Sequence, residues 1–213
     1  MKFSILPFLF PLLTAAQIPN LKNVTLAAVR YSGNGCPSGS VSATTSPDKT
    51  VITLGYDDFR LAIGPGFDRT AKVKSCSVQI TFNLNYSEAS APRLAVVGAV
   101  YHGYANFGAG MNKTISSGYN FFQIDSLQPR TEVTIPGADS NGGRVFTEAR
   151  AIAEEDQLRS PCGLSPVQLT VITRVSITSK FASAYYNEFE EDSIPLTHQI
   201  NLKYVYYFPL LCL

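Results

Sequence analysis

The sequence predicts an all-β protein: a single-domain antiparallel β-sandwich, with a jelly roll among its arrangements, closed by two disulfides. Three observations predict it. Short runs rich in Val, Thr, Ile and Tyr alternate apolar and polar residues with a period of two. Gly, Pro, Asn and Asp separate those runs, and no segment sustains a helical period. The cysteines Cys36, Cys76, Cys162 and Cys212 form an even set spread along the chain, as a disulfide framework does.

The chain opens with Lys2, an almost wholly apolar run from Phe3 to Leu13, and the small residues Thr14-Ala15-Ala16 before Gln17. That is the pattern of a secretory signal peptide over residues 1–16, leaving 17–213 as the secreted domain. Pro7 and Pro11 oppose a buried N-terminal strand or helix. An extracellular location agrees with the cysteines. It also agrees with three N-glycosylation sequons, Asn23-Val24-Thr25, Asn85-Tyr86-Ser87 and Asn112-Lys113-Thr114. There is no CxxC pair, and His102 and His198 lie far from any cysteine in sequence, so neither a metal site nor a cofactor is expected.

Along the mature chain, Ser40–Ser46 and Thr50–Tyr56 read as a hairpin around the turn Pro47-Asp48-Lys49. Phe59–Ile63 reads as a continuation of the second strand, ended by Gly64-Pro65-Gly66. Ser77–Tyr86 alternates cleanly, with Val78, Ile80, Phe82 and Leu84 on one face. Leu94–Phe107 is a second long run in which Gly98 and Gly103 mark bulges or a close neighbour. Thr114–Ile124, Thr131–Ile135 and Arg144–Ala149 are shorter, the last entered through the turn Asn141-Gly142. Thr147–Leu158 fits either a short helix or a strand and loop. Val167–Ser179 and His198–Phe208 alternate again and close the set.

Strand direction suggests the disulfides. If Ser77–Tyr86 runs antiparallel beside Thr50–Tyr56, Cys36 and Cys76 meet at one end. If His198–Phe208 runs back beside Val167–Ser179, Cys212 reaches Cys162. Of the three pairings that four cysteines allow, this predicts Cys36–Cys76 and Cys162–Cys212.

Charge excludes some partners. Lys and Arg total 17 against 16 Asp and Glu, and loss of Lys2 with the signal peptide leaves 16 of each. Nothing steers such a chain to nucleic acid or anionic lipid. The apolar Tyr204 to Leu213 tail is too short for a membrane helix and reads as a buried strand. Oligomeric state is left open.

Catalytic signals are sparse. No GxSxG elbow, HExxH helix or Gly-rich phosphate loop occurs. His102, between Tyr101 and Gly103, reads as a hydrogen-bonded strand imidazole, and His198 simply opens the last strand. Glu188, Glu190, Glu191 and Asp192 read as a solvated loop. Asp139 to Gly143 resembles a calcium loop without its later glutamate, and Asp57-Asp58 is a weak metal candidate. The 11 tyrosines, with no tryptophan, are more suggestive. Tyr101, His102, Tyr104 and Tyr119 are the candidate binding residues, since tyrosines on a β face can stack on sugar rings.

Several motifs occur in a fixed order: Gly35-Cys36-Pro37-Ser38-Gly39-Ser40-Val41, Lys74-Ser75-Cys76, Tyr101-His102-Gly103-Tyr104-Ala105 and Ser160-Pro161-Cys162-Gly163. Together they resemble the secreted proteins of domain-of-unknown-function family 4360, from about Gly33 to Ile177. His102 stands where relatives usually carry Arg. The resemblance implies a fungal-type secreted β protein, wall-associated or active at a host surface. The expected function is therefore non-enzymatic binding of a surface polysaccharide or a host molecule. One alternative is a carbohydrate-active enzyme with carboxylates assembled by the fold. Another is a structural wall protein.

Overall fold

Period-two alternation yields ten strands among the described residues, which are 24–63, 67–85, 91–122, 128–137, 143–180 and 195–207 of this computed structural model. In chain order they are β1 (Val24–Ser32), β2 (Val41–Thr45), β3 (Val51–Tyr56), β4 (Val73–Leu84) and β5 (Ala91–Ala105). There follow β6 (Met111–Phe121), β7 (Arg130–Pro136), β8 (Arg144–Ala151), β9 (Val167–Ser179) and β10 (Leu196–Tyr207). They form two five-stranded antiparallel sheets. Sheet I has the order β1-β4-β9-β6-β7 and sheet II the order β2-β3-β10-β5-β8. Every connection except β2–β3 and β6–β7 passes from one sheet to the other. The chain therefore wraps both sheets around one interior, as a jelly roll does. Outside the described residues lie residues 1–16, expected to be a signal peptide, Asn23, the run from Glu188 to Asp192, Asp139 to Gly142, Gly64 to Gly66 and Cys212.

The interior is built from the alternating sets. Val78, Ile80, Phe82 and Leu84 of β4 and Val167, Leu169, Val171 and Val175 of β9 are buried against Ile52, Leu54, Leu196 and Ile200 of sheet II. Each such side chain contributes about 1.5–3 kcal/mol by leaving water.

At four points the structure departs from the sequence reading or decides it. β1 was not anticipated. It is an edge strand, and a bulge between Leu26 and Ala28 breaks its alternation. Phe59–Ile63 is not strand: Phe59 and Leu61 tuck into the core from irregular chain, with Phe59 edge-on to Tyr56 at 4.9 Å. Between Thr147 and Leu158 there is no α-helix; β8 runs on to Ala151 and a 3-10 turn follows at Glu154–Asp156. Gly98 meets both readings offered for it. β5 bulges opposite Asn201/Leu202, and a Cβ on Gly98 would lie 2.7 Å from the Arg150 carbonyl oxygen.

The Cys36–Cys76 disulfide is present, but not for the reason expected. β3 and β4 are in opposite sheets. Cys36 reaches Cys76 because β1 runs antiparallel to β4, with Ser32 opposite Ser77. The turn is held by Gly35 N–H donating to the Ser75 carbonyl at 3.0 Å and by Ser75 N–H donating to Asn34 Oδ1 at 2.7 Å. Among the described residues this is the one bridge shown, where two were expected. Cys162–Cys212 involves a residue beyond them, and the adjacency invoked for it does not hold. β9 lies between β4 and β6, and β10 between β3 and β5.

Candidate functional site

Alternation divides the candidate binding residues between two environments. On β5, Tyr101 points inward and is fully buried, while His102 and Tyr104 point outward from sheet II. On β6, Tyr119 also points inward and is fully buried. Tyr101 and Tyr119 are thus core residues rather than a stacking surface. Of the other aromatic residues in these stretches, Phe107 and Phe121 are buried and Phe122 is exposed.

Between the sheets the buried tyrosines meet a polar chain that sequence reasoning missed. Tyr101 Oη lies 2.6 Å and Tyr119 Oη 2.8 Å from Thr131 Oγ1. Tyr119 Oη is 3.0 Å from His198 Nε2, and His198 Nδ1 is 3.4 Å from Thr173 Oγ1. Thr173 Oγ1 also meets Tyr56 Oη and Ser117 Oγ, each at 3.1 Å. The His198 ring stacks on Tyr101 with centroids 4.7 Å apart. One proton arrangement satisfies the run: Tyr101 donates to Thr131, Thr131 to Tyr119, Tyr119 to Nε2, and Nδ1–H to Thr173. It requires a neutral imidazole. Burial supplies one, holding the His198 pKa down to about 3. Burial likewise pushes the Tyr119 and Tyr56 phenols above their ordinary range, so they stay protonated donors. No solute reaches His198, which has no exposed surface; its role is to satisfy buried polar groups. The signal was its phase with Ile200 and Leu202.

The outer face of sheet II is the place where outward candidates and open surface coincide. Register sets Ser42, Gly55, Thr197, His102 and Thr147 in one row across all five strands. Thr44, Thr53, Gln199, Val100 and Ala149 form the next row. At the usual strand spacing each row spans ~19 Å. His102 Nδ1 lies 2.8 Å from Thr147 Oγ1, which ties the ring to its neighbour in the row. Tyr104 flanks the row beside Val145, which is 54% exposed. A Cβ on Gly143 would fall on the Tyr104 phenol, so that glycine is what lets the ring lie over the start of β8. Neither row contains a charged residue. The face offers hydroxyl, amide and imidazole groups on a rigid backbone.

A separate cleft of about 820 Å³ opens where the loop after β8 passes the start of β7. Arg93, Arg130 and Arg159 line it with Glu155 and Asp156. Arg93 Nε donates to the Ser160 carbonyl at 2.7 Å and pins the loop to β5. No sequence signal joins these residues, which come from three separate segments. Among the described residues no group of three or more His, Cys, Asp or Glu side chains is placed to hold a metal ion, so Asp57-Asp58 gains no third ligand. Glu188, Glu190, Glu191 and Asp192, which the sequence reads as a solvated loop, lie outside the described residues.

A family model described as "Domain of unknown function (DUF4360)" matches residues 22–206. An uncharacterized secreted protein of Arthroderma benhamiae is 32% identical over 161 residues, which are 76% of this chain and 62% of the relative. The chain thus spans less than two thirds of that relative's length. Among solved structures, the chain is similar to TmCBM61 in complex with beta-1,4-galactotriose at 11% identity and a TM-score of 0.27, covering 86% of this chain and 90% of that one. It is also similar to the enzymatically active domain of the bacteriophage CBA120 tailspike protein 4, at 11% identity and a TM-score of 0.24, covering 88% of this chain and 20% of that one.

Proposed function

The chain belongs to the DUF4360 family, and we propose that it is a secreted binding protein that takes a neutral polysaccharide on the outer face of sheet II. Secretion is supported by residues 1–16, which read as a signal peptide, and by the description of its relative as a secreted protein. One observation carries the ligand class: two uncharged rows of hydroxyl, amide and imidazole groups crossing five strands. A neutral sugar chain presents hydroxyls that donate and accept, and flat C–H faces suited to a tyrosine ring. Each hydrogen bond to it is worth only about 0.5–1.5 kcal/mol net. Useful affinity then needs many such groups already in place, and strands hold them without a cost of ordering loops. Acidic polysaccharides would call for cations that these rows lack.

The test is a binding screen of mature protein against neutral glucans, mannans, galactans and chitin, with the same incubations analysed for products. Saturable binding without products is expected. His102→Ala and Thr147→Val should each weaken it by roughly tenfold, equivalent to about 1.4 kcal/mol, while melting temperature moves little. Binding that ignores both substitutions places the ligand elsewhere, and turnover of the polymer favours the enzyme alternative.

Gly143→Ala probes the same face without touching a hydrogen-bonding group. The new methyl displaces the tip of the Tyr104 ring, a movement that costs the fold little. Binding should fall to the level of Tyr104→Ala. Wild-type affinity in Gly143→Ala alongside lost affinity in Tyr104→Ala would show that the ring position is not what matters.

A further inference from the structure

β6 alternates strictly where it carries the sequon Asn112-Lys113-Thr114. Met111 and Lys113 point into the sandwich and are buried, whereas Asn112 and Thr114 point outward from sheet I. The middle residue is the anchor. Lys113 Nζ donates to the Tyr104 carbonyl at 3.5 Å and stands 5.5 Å from the centre of the Phe146 ring. The partners of Asn112 on the two flanking strands, Pro136 and Thr178, are small and uncharged, and the Arg144 guanidinium nearby is engaged by the Pro136 carbonyl at 3.2 Å. Thr114 meets the Thr134 hydroxyl at 3.3 Å. The hydrogen bond at Asn112 itself runs through its backbone carbonyl, which accepts from Thr178 Oγ1 at 3.5 Å. A substituent on Nδ2 leaves that bond intact.

We propose that Asn112 carries an N-linked oligosaccharide, which covers its end of the outer face of sheet I and leaves the outer face of sheet II bare. In the transfer, Nδ2 bonds to the anomeric carbon of a lipid-diphosphate-linked oligosaccharide. The bond from that carbon to the diphosphate oxygen breaks, the lipid diphosphate departs with the electron pair, and one amide proton passes to a base of the transferase. The position matters because a glycan is bulky and hydrated and bars flat contact with the surface beneath it. Asn85, exposed just beyond β4, belongs to the same sheet, and no sequon begins within a strand of sheet II. Sheet I is therefore the covered side of the sandwich. This inference stands apart from the polysaccharide reading and survives its failure.

The experiment uses full-length chain secreted from a eukaryotic host that glycosylates. Glycopeptide mass spectrometry, before and after enzymatic deglycosylation in heavy-oxygen water, should find Asn112 modified. Asn112→Gln and Thr114→Val should each lose that one glycan, and Thr114→Ser should keep it. Hydroxyl-radical footprinting then reads coverage. Oxidation of Pro136, opposite Asn112, should rise at least twofold in Asn112→Gln, while Val145 on sheet II stays unchanged. An unmodified Asn112 peptide in secreted protein overturns the site. Equal Pro136 oxidation with and without the glycan overturns the covering of sheet I.

Discussion

Lowering the pH from 7 to 4 is expected to take about 3 kcal/mol from the stability of this protein through His198 alone. The imidazole titrates near 6.5 when the chain is unfolded and near 3 when folded, because burial disfavours its charged form. Above pH 6.5 it is neutral in both states and contributes no pH dependence. Between 6.5 and about 3 the unfolded chain takes a proton that the folded chain refuses, so stability falls as pH falls, and below that window it levels off. Geometry gives the same sign. A second proton would make both ring nitrogens donors and force Tyr119, now donating to Nε2, to reverse against Thr131. Denaturant unfolding at a series of pH values, for wild type and for His198→Gln, isolates the effect from that of the carboxylates. The variant should start less stable at pH 7 and show a flatter slope through the window, so that the two curves approach each other near pH 5. Parallel slopes would mean that His198 is protonated inside the folded protein. An NMR titration of the wild-type imidazole decides the point if the variant does not fold.

His198 also shows what the sequence could reveal. Its phase with Ile200 and Leu202 marks an inward position, so its burial was legible. Tyr101 and Tyr104 are three apart, and a period of two forbids them a common face; their separation was legible in the same way. Not legible was the chain through Thr131, Thr173 and Ser117, because it joins strands of both sheets and exists only once those sheets are packed face to face. The same limit explains the disulfide argument. β9 is legible at its observed bounds because one of its faces is apolar apart from Thr173 and the terminal Ser179, but a strand's pattern does not say which sheet it joins. β3 with β4, and β9 with β10, were paired by order in the chain, whereas long crossovers separate them. β1 escaped notice because an edge strand with one bulge has little alternation to show.

Cys36→Ala/Cys76→Ala is the substitution expected to cost most at neutral pH, on the order of 4 kcal/mol. The bridge spans a sequence separation of 40, and a loop of that size removes about this much conformational freedom from the unfolded chain. For a domain of this length the loss corresponds to a fall of roughly 8–16 °C in melting temperature. The native state loses something too, because both cysteines are buried and alanine leaves a small void where the sulfurs packed. Placement adds a local signature that loop entropy alone does not predict. The bridge lies just past the end of β1, whose sole neighbour within sheet I is β4. Without it, that end of the edge strand relies on its pairing with β4 and on the hydrogen bonds of the turn from Gly33 to Gly35. Amide exchange should therefore quicken first at Arg30, Tyr31 and Ser32, while Ile172 and Val175 in the centre of sheet I exchange at a rate set by global unfolding. If exchange instead rises equally in β1 and β9, the bridge stabilises the fold as a whole and the edge strand needs no separate anchor. If the melting temperature barely moves, the unfolded chain is already compact around these residues and the loop-entropy account fails for this protein.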